Sequence, residues 1–243
     1  WNSYVDMVKF AGGKPVIIEN RPGAATMLGT SAVATALPDG HMLLVATSSA
    51  MAINQVLYKK ISYDPAADFV PVSFYLKSPF VLIVRPELPV YSVRDLIRYA
   101  SEQATPLTFS SPGAGTAQHL SVEFIKQRFG IKMTHVPYRS NPQSIADVVA
   151  GHVDLTFAES GVARPLIREG KVRGLAVSAS TRLPVLPDLS TLAEATESPD
   201  VETVSWHMLF APAVTPPDIV ERLHQEMKKI MASPEIRKRM TDM

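Results

Sequence analysis

Apolar residues recur along this chain with two periods. Over residues 27–36, 93–102, 117–129, 143–149 and 162–169 they fall three and four apart, the spacing that gives a helix one apolar stripe. Between these segments lie short apolar runs at 16–19, 41–46, 107–109, 133–137, 153–157 and 172–177, closed by Gly, Pro or Asn, and these read as strands. Residues 1–10 read as the tail of a helix. Strands alternating with helices of this length build parallel sheets, because each crossover lays its apolar stripe back on the sheet. The pattern predicts an α/β protein with parallel-rich sheets flanked by helices, and the number of units fits two sheets.

Residues 70–75 and 80–84 are unbroken apolar runs with no helix between them, the expected first crossing from one lobe to another, and residues 203–210 are the expected return. Lobe 1 is then residues 1–83 plus 204–243, and lobe 2 residues 84–203, with a ligand cleft between the lobes. Residues 217–231 read as a helix opened by Pro217, with Ile219, Val220, Leu223, Met227, Ile230 and Met231 on the apolar side that should pack on lobe 1.

Composition narrows the function. Of 243 residues, 46% are hydrophobic and 19% charged, which excludes a disordered chain. A net charge of +1 with dispersed Lys and Arg forms no basic stripe for a phosphate backbone, so nucleic acid is not an expected partner. The absence of cysteine removes disulfides, thiolate zinc sites and cysteine nucleophiles, and suits an oxidising compartment. Apolar runs such as residues 79–84 are far shorter than the roughly 20 residues that cross a bilayer. No basic-then-apolar leader precedes Trp1, so a secretion signal is expected to have been removed.

The most informative segment for chemistry is Ser110-Ser111-Pro112-Gly113-Ala114-Gly115-Thr116, which runs from a strand into an amphipathic helix. At a helix start the first backbone N–H groups lack intrahelical acceptors and the macrodipole is positive, so a carboxylate can be held without Lys or Arg. Glycines let a ligand approach the backbone, and Ser110, Ser111 and Thr116 add hydroxyls. A plain cap and turn made of the same residues is the competing reading. A second small-polar loop, Thr47-Ser48-Ser49-Ala50-Met51-Ala52-Ile53-Asn54, follows another strand at the end where α/β ligand sites gather, and Ala158-Glu159-Ser160-Gly161 follows a third.

Catalytic signatures are missing. Gly113-x-Gly115 has Gln118 where a dinucleotide fingerprint needs its third glycine, and Gly12-Gly13-Lys14 is followed by Pro15 rather than the Ser or Thr of a P-loop. Gly29-Thr30-Ser31-Ala32-Val33 is not a nucleophile elbow. The six histidines show no metal-ligand spacing. Glu159 with His119 is the only sketch of an acid–base pair. Catalytic residues, metal and cofactors are therefore all expected to be none.

Seven ordered motifs now matter together: Glu19-Asn20-Arg21-Pro22-Gly23-Ala24, Pro38-Asp39-Gly40, Tyr63-Asp64-Pro65, Asp68-Phe69, Gln118-His119-Leu120, His135-Val136-Pro137-Tyr138 and Leu209-Phe210-Ala211-Pro212. With them the chain resembles, over nearly its whole length, the Bug-type substrate-binding proteins of tripartite tricarboxylate transporters. The resemblance implies a periplasmic, two-lobed, type II-like Venus-flytrap receptor that closes on a small carboxylate and delivers it to membrane permease subunits, or to a sensor. It implies a grip by backbone amides and hydroxyls, often through water, at positions matching Thr47, Ser48, Ser49, Ser110, Ser111, Gly113, Gly115 and Thr116.

Two departures stand out. Where the family commonly has Asp-Asn, this chain has Ala158-Glu159; a glutamate there repels a second carboxylate and favours a ligand presenting an ammonium or hydroxyl. Against the family pattern the chain also reads as truncated at both ends, without the first strand and its Pro-x-Gly-Gly loop or the last strand and helix. The expectation is a non-enzymatic, monomeric solute receptor for a di- or tricarboxylate, aromatic carboxylate or amino acid. The alternatives are a truncated remnant with an interaction or sensing role and no solute binding and, behind it, a small-molecule enzyme on a similar fold.

Overall fold

One strand, β2 (Phe69–Val84), carries the chain out of one compact unit and into another. The computed structural model describes residues 18–198 and 202–242. Of the described residues, unit 1 holds those up to Leu76 together with His207–Asp242, and unit 2 holds those from Lys77 to Trp206. The chain thus changes units inside β2 and inside β7 (Val204–Pro212), where the hydrophobic pattern had suggested residues 83/84 and 203/204.

Unit 2 is a five-stranded sheet with helices on both faces. β2 pairs antiparallel with β5 (Leu155–Glu159) and with β6 (Arg173–Val177); β3 (Leu107–Ser111) pairs parallel with both β5 and β4 (Met133–Pro137). Alternation sorts the side chains. Phe80, Leu82 and Val84 point to the face that packs with Phe109, Val122, Ile125 and Phe157, whereas Val81 and Ile83 point to the face with Ile145, Val148, Ala158 and Ala163. Phe80 through Val84 are all 0% exposed, and each side chain of this size contributes about 1.5–3 kcal/mol by leaving water. A run buried on both faces has no polar partner to alternate with, which is why it reads as unbroken.

The helices begin where their capping residues stand. Ser92 accepts the Asp95 amide to open α3 (Val93–Glu102), after the short α1 (Met27–Ala34) and α2 (Asn54–Leu57) of unit 1. Thr116 opens α4 (Ala117–Phe129), which ends at Gly130 in the left-handed conformation. After α5 (Asn141–Val149) and α6 (Ser160–Arg168), Thr191 and Glu194 form a reciprocal capping box at α7 (Leu192–Thr196).

In unit 1, β1 (Leu44–Thr47) lies antiparallel to β7, which neighbours β2. The apolar stripe of α8 (Pro217–Ala232) packs Met227, Val220 and Leu223 against Val72, Leu209 and Ala211. Phe69 sits edge-on to both Tyr63 and Phe210, at 6.1 and 6.3 Å between ring centroids. α9 (Pro234–Asp242) follows α8 after Ser233.

Several expectations change. The helix over residues 1–10 lies outside the described residues, as does the first half of the strand over 16–19, whose last two residues are irregular. The two runs at 70–75 and 80–84 are one strand that continues through Pro71 and Pro79. The loop expected after Thr47 is helical instead: a π-turn over Ser49–Ile53 runs directly into α2. The short helices α7 and α9 were not anticipated.

Candidate functional site

Three helices of unit 2 start at the carboxyl ends of three parallel strands: α4 after β3, α5 after β4 and α6 after β5. The register sets Ser111 beside Pro137, and Ser110 beside Thr156, so the strands end at one edge of the sheet. Their helix starts come within one side chain of each other. From the first turn of α4, Gln118 Nε2 donates to Glu159 Oε1 at 3.2 Å; from the first residue of α5, Asn141 Nδ2 donates to Glu159 Oε2; Glu159 itself ends β5 and stands immediately before α6. Positive helix ends gathered at the carboxyl edge of parallel strands are the usual setting for an anionic ligand.

Glu159 is the charge in this setting. Burial pushes its carboxyl upward, opposed by its own amide and by the Asn141 and Gln118 side chains, which favour the ionised form. Asn141 Oδ1, also buried, has no protein partner among the described residues. The cluster therefore presents acceptors as well as the helix-start donors.

The loop from β3 to α4 is tied to itself. Ser110 Oγ donates to Ser144 O at 3.0 Å on one face of the sheet, and Ser111 Oγ lies 2.7 Å from His135 Nε2 on the other. Ser111 Oγ also accepts the Gly113 amide at 3.1 Å, Thr116 Oγ1 donates to Gly113 O at 2.8 Å, and the Gly115 amide donates to His119 Nδ1 at 3.2 Å. Gly113 and Gly115 adopt φ of 131° and 82°, which a side chain would strain. The hydroxyls of Ser110, Ser111 and Thr116, expected to offer donors outward, thus shape the loop, and Thr116 also caps α4 by accepting the His119 amide. The amides of the first turn of α4, at Ala117 and Gln118, have no intrahelical acceptor, the arrangement that suits an anion.

In unit 1, Thr47 ends β1, and Ser48 and Ser49, 7% and 4% exposed, begin the π-turn. Asn54, fully buried, donates to Ala25 O at 2.9 Å and to Tyr63 Oη at 3.2 Å, while Tyr63 Oη donates to Ala50 O at 2.7 Å. This fastens the serine turn to Ala24, Ala25 and Thr26, three successive residues with φ of 47°, 49° and 74°. Left-handed backbone at non-glycine residues is costly and gathers at functional segments. Sequence reasoning missed this turn, and it missed Gln118 and Asn141 as partners of Glu159. The quoted Gln118-His119 and Arg21-Pro22-Gly23-Ala24 motifs were the available signals.

Among the described residues no group of His, Asp or Glu side chains is placed to hold a metal ion, and no helix is long and apolar enough to cross a membrane.

Comparison with known proteins gives the arrangement a family. A protein of Pseudomonas sp. strain P51, called the UPF0065 protein in the tcbD-tcbE intergenic region, is 35% identical over 224 residues, which are 92% of this chain and 66% of that protein. The chain thus spans about two thirds of that relative's length. Among solved structures, R. palustris Rpa4515 with adipate superposes with a TM-score of 0.94 at 33% identity, over 99% of this chain and 80% of that one. MatC from Rhodopseudomonas palustris with bound malate gives 0.89 at 32% identity, over 98% and 80%. The profile of the TctC family, described as the tripartite tricarboxylate transporter family receptor, matches residues 6–243, and the chain belongs to that family.

Proposed function

We propose that this protein is an extracytoplasmic solute receptor that binds a small carboxylate for delivery to a membrane permease and catalyses no reaction. The observation that carries the proposal is the convergence of the α4, α5 and α6 starts on one edge of the unit 2 sheet, linked through Gln118, Asn141 and Glu159. A carboxylate seated there accepts the free amides at the start of α4, in a loop whose shape is fixed by Ser110, Ser111, Gly113, Gly115 and Thr116. Thr47, Ser48 and Ser49 are proposed as further ligand contacts. Adipate and malate in the two superposed relatives support a ligand of this size and charge.

Glu159 sets the distal group. An acceptor pair formed by its carboxylate and Asn141 Oδ1 accommodates a hydroxyl or ammonium and disfavours a bare second carboxylate. Small carboxylates bearing a hydroxyl or amino substituent are thus the preferred class.

A thermal-shift series with malate, adipate, an aromatic carboxylate and amino acids tests both statements. A ligand that binds only the folded chain stabilises it by about 2.7 kcal/mol at a hundred times its Kd. Malate or an amino acid is expected to raise the midpoint more than adipate. A well-folded sample that shifts with none of these compounds would overturn the receptor reading.

A further inference from the structure

Two histidines that the ligand grip has not used stand directly behind it. His135 faces Phe109 in register across β4 and β3, their rings stacked at 4.8 Å and 22°. His119, on the first turn of α4, brings its ring to 4.2 Å from His135 and 5.9 Å from Phe109. Lys126, further along the same helix, places Nζ 5.3 Å from the Phe109 centroid and pairs with Glu123 at 2.6 Å. Glu123 Oε1 in turn lies 3.7 Å from His119 Nε2.

Each imidazole ends on the loop. His119 Nδ1 takes the Gly115 amide, and His135 Nε2 meets Ser111 Oγ, which takes the Gly113 amide. A ring nitrogen can accept a hydrogen bond only when it carries no proton, so His119 is the neutral tautomer with its hydrogen on Nε2, facing Glu123. Both glycines have a positive φ, and their amides donate to Ser111 Oγ and to His119 Nδ1.

We propose that His119 and His135 are positioning residues for the carboxylate grip: stacked, neutral imidazoles that fix the Gly113 and Gly115 amides and so aim the first turn of α4 at the ligand. This rests on the reading of that turn as the carboxylate site. The charge balance favours neutrality. Burial lowers both histidines, and His135 is further lowered by His119 and Lys126 against the opposing pull of Glu123, to about 4. A proton on His119 Nδ1 would set one donor against another at Gly115 and release the loop.

The test pairs each disruptive change with one that keeps the hydrogen-bonding atom. Asn at 119 can return an acceptor to the Nδ1 position, and Gln at 135, which carries both a donor and an acceptor, can meet Ser111 Oγ in either role while that hydroxyl donates to Gly113 O at 3.0 Å; Leu can do neither. In calorimetry with malate at neutral pH, His119→Leu and His135→Leu are expected to lose about tenfold or more in affinity, and His119→Asn and His135→Gln to stay within about threefold of wild type. Leu variants that bind like wild type, or Asn and Gln variants that fail as badly as Leu, overturn the proposal.

Nitrogen-15 NMR of the wild-type protein gives a readout independent of ligand and of variant folding. His119 should show an unprotonated Nδ1 at neutral pH, and the Gly115 amide resonance should move together with the His119 titration. A protonated Nδ1, or a Gly115 amide indifferent to it, overturns the proposal as well. If wild type binds neither malate nor adipate, the carboxylate reading fails by itself, and the NMR result still decides whether the histidines hold the loop.

Discussion

Glu159 concentrates the conflict that a ligand site has to resolve. Its carboxyl is pushed upward by burial, so the folded chain holds its proton more tightly than the unfolded chain does. For an acid raised in this way, the folded state binds more protons than the unfolded state between the two titrations. Stability is greatest below the unfolded value and falls as pH rises through that value toward the folded one. Glu159→Gln removes the ionisation while keeping the shape. Urea melts from pH 4 to 8 should therefore show a smaller loss of stability with rising pH in the variant than in wild type, and an unchanged slope would show that the carboxyl is not taxed by its surroundings. The same substitution removes an acceptor, so its effects on stability and on ligand choice run in opposite directions. Little of this was legible beforehand: the chain shows a Glu after a strand, but Gln118 and Asn141 lie on other elements and only folding joins them.

At the scale of elements, Asp154 does the work of a clasp. It precedes β5, and its carboxylate takes Arg85 Nε at 2.8 Å, the Thr108 amide at 2.7 Å and Thr108 Oγ1 at 2.9 Å, binding the ends of β2, β3 and β5 together. Its side chain is 16% exposed, so the partners have little access to water when it is removed. Asp154→Ala should cost about 2–4 kcal/mol in denaturant unfolding, because an amide and a guanidinium lose a charged acceptor, and Asp154→Asn about half as much. Equal losses would place the effect in packing rather than hydrogen bonding.

Elements were legible where a local rule decides them. Ser92, Thr116 and Pro217 announce α3, α4 and α8, and apolar runs announce β3 to β6. They were illegible where a distant contact decides. The small residues after Thr47 have the composition of a loop, and they form a π-turn whose end is held by Asn54 reaching Ala25 and by Tyr63 reaching Ala50. Proline at 71 and 79 reads as a break because it cannot donate to a ladder. Pro71 is nevertheless exposed within a strand whose flanking residues are held by packing at Phe69 and Val72.

For the whole molecule, β2 is a single strand that belongs to two units. Residues 80–84 are sealed on both faces, while the first half mixes buried Phe69 and Val72 with exposed Pro71 and Phe74, the latter 55% accessible. Local openings follow burial and contact density, so one strand should show two regimes of protection. Native-state hydrogen exchange is expected to leave the amides of residues 80–84 among the last to exchange, with those of 70–76 markedly faster. A uniform profile along β2 would mean that the two units open as one.

The sealed half of β2 carries a liability of its own. Phe80-Val81-Leu82-Ile83-Val84 is an uncharged run of aromatic and mainly β-branched residues, the composition that stacks into cross-β fibrils when it is left uncovered. Until β5 and β6 flank it, a newly made chain exposes that run to every other copy nearby. Lys77 and Pro79 stand on one side of it, and Arg85 and Pro86 on the other. Charges and prolines in those places resist intermolecular strand pairing, so the residues that bracket the deepest part of the core also protect the chain from aggregation while that core is still forming.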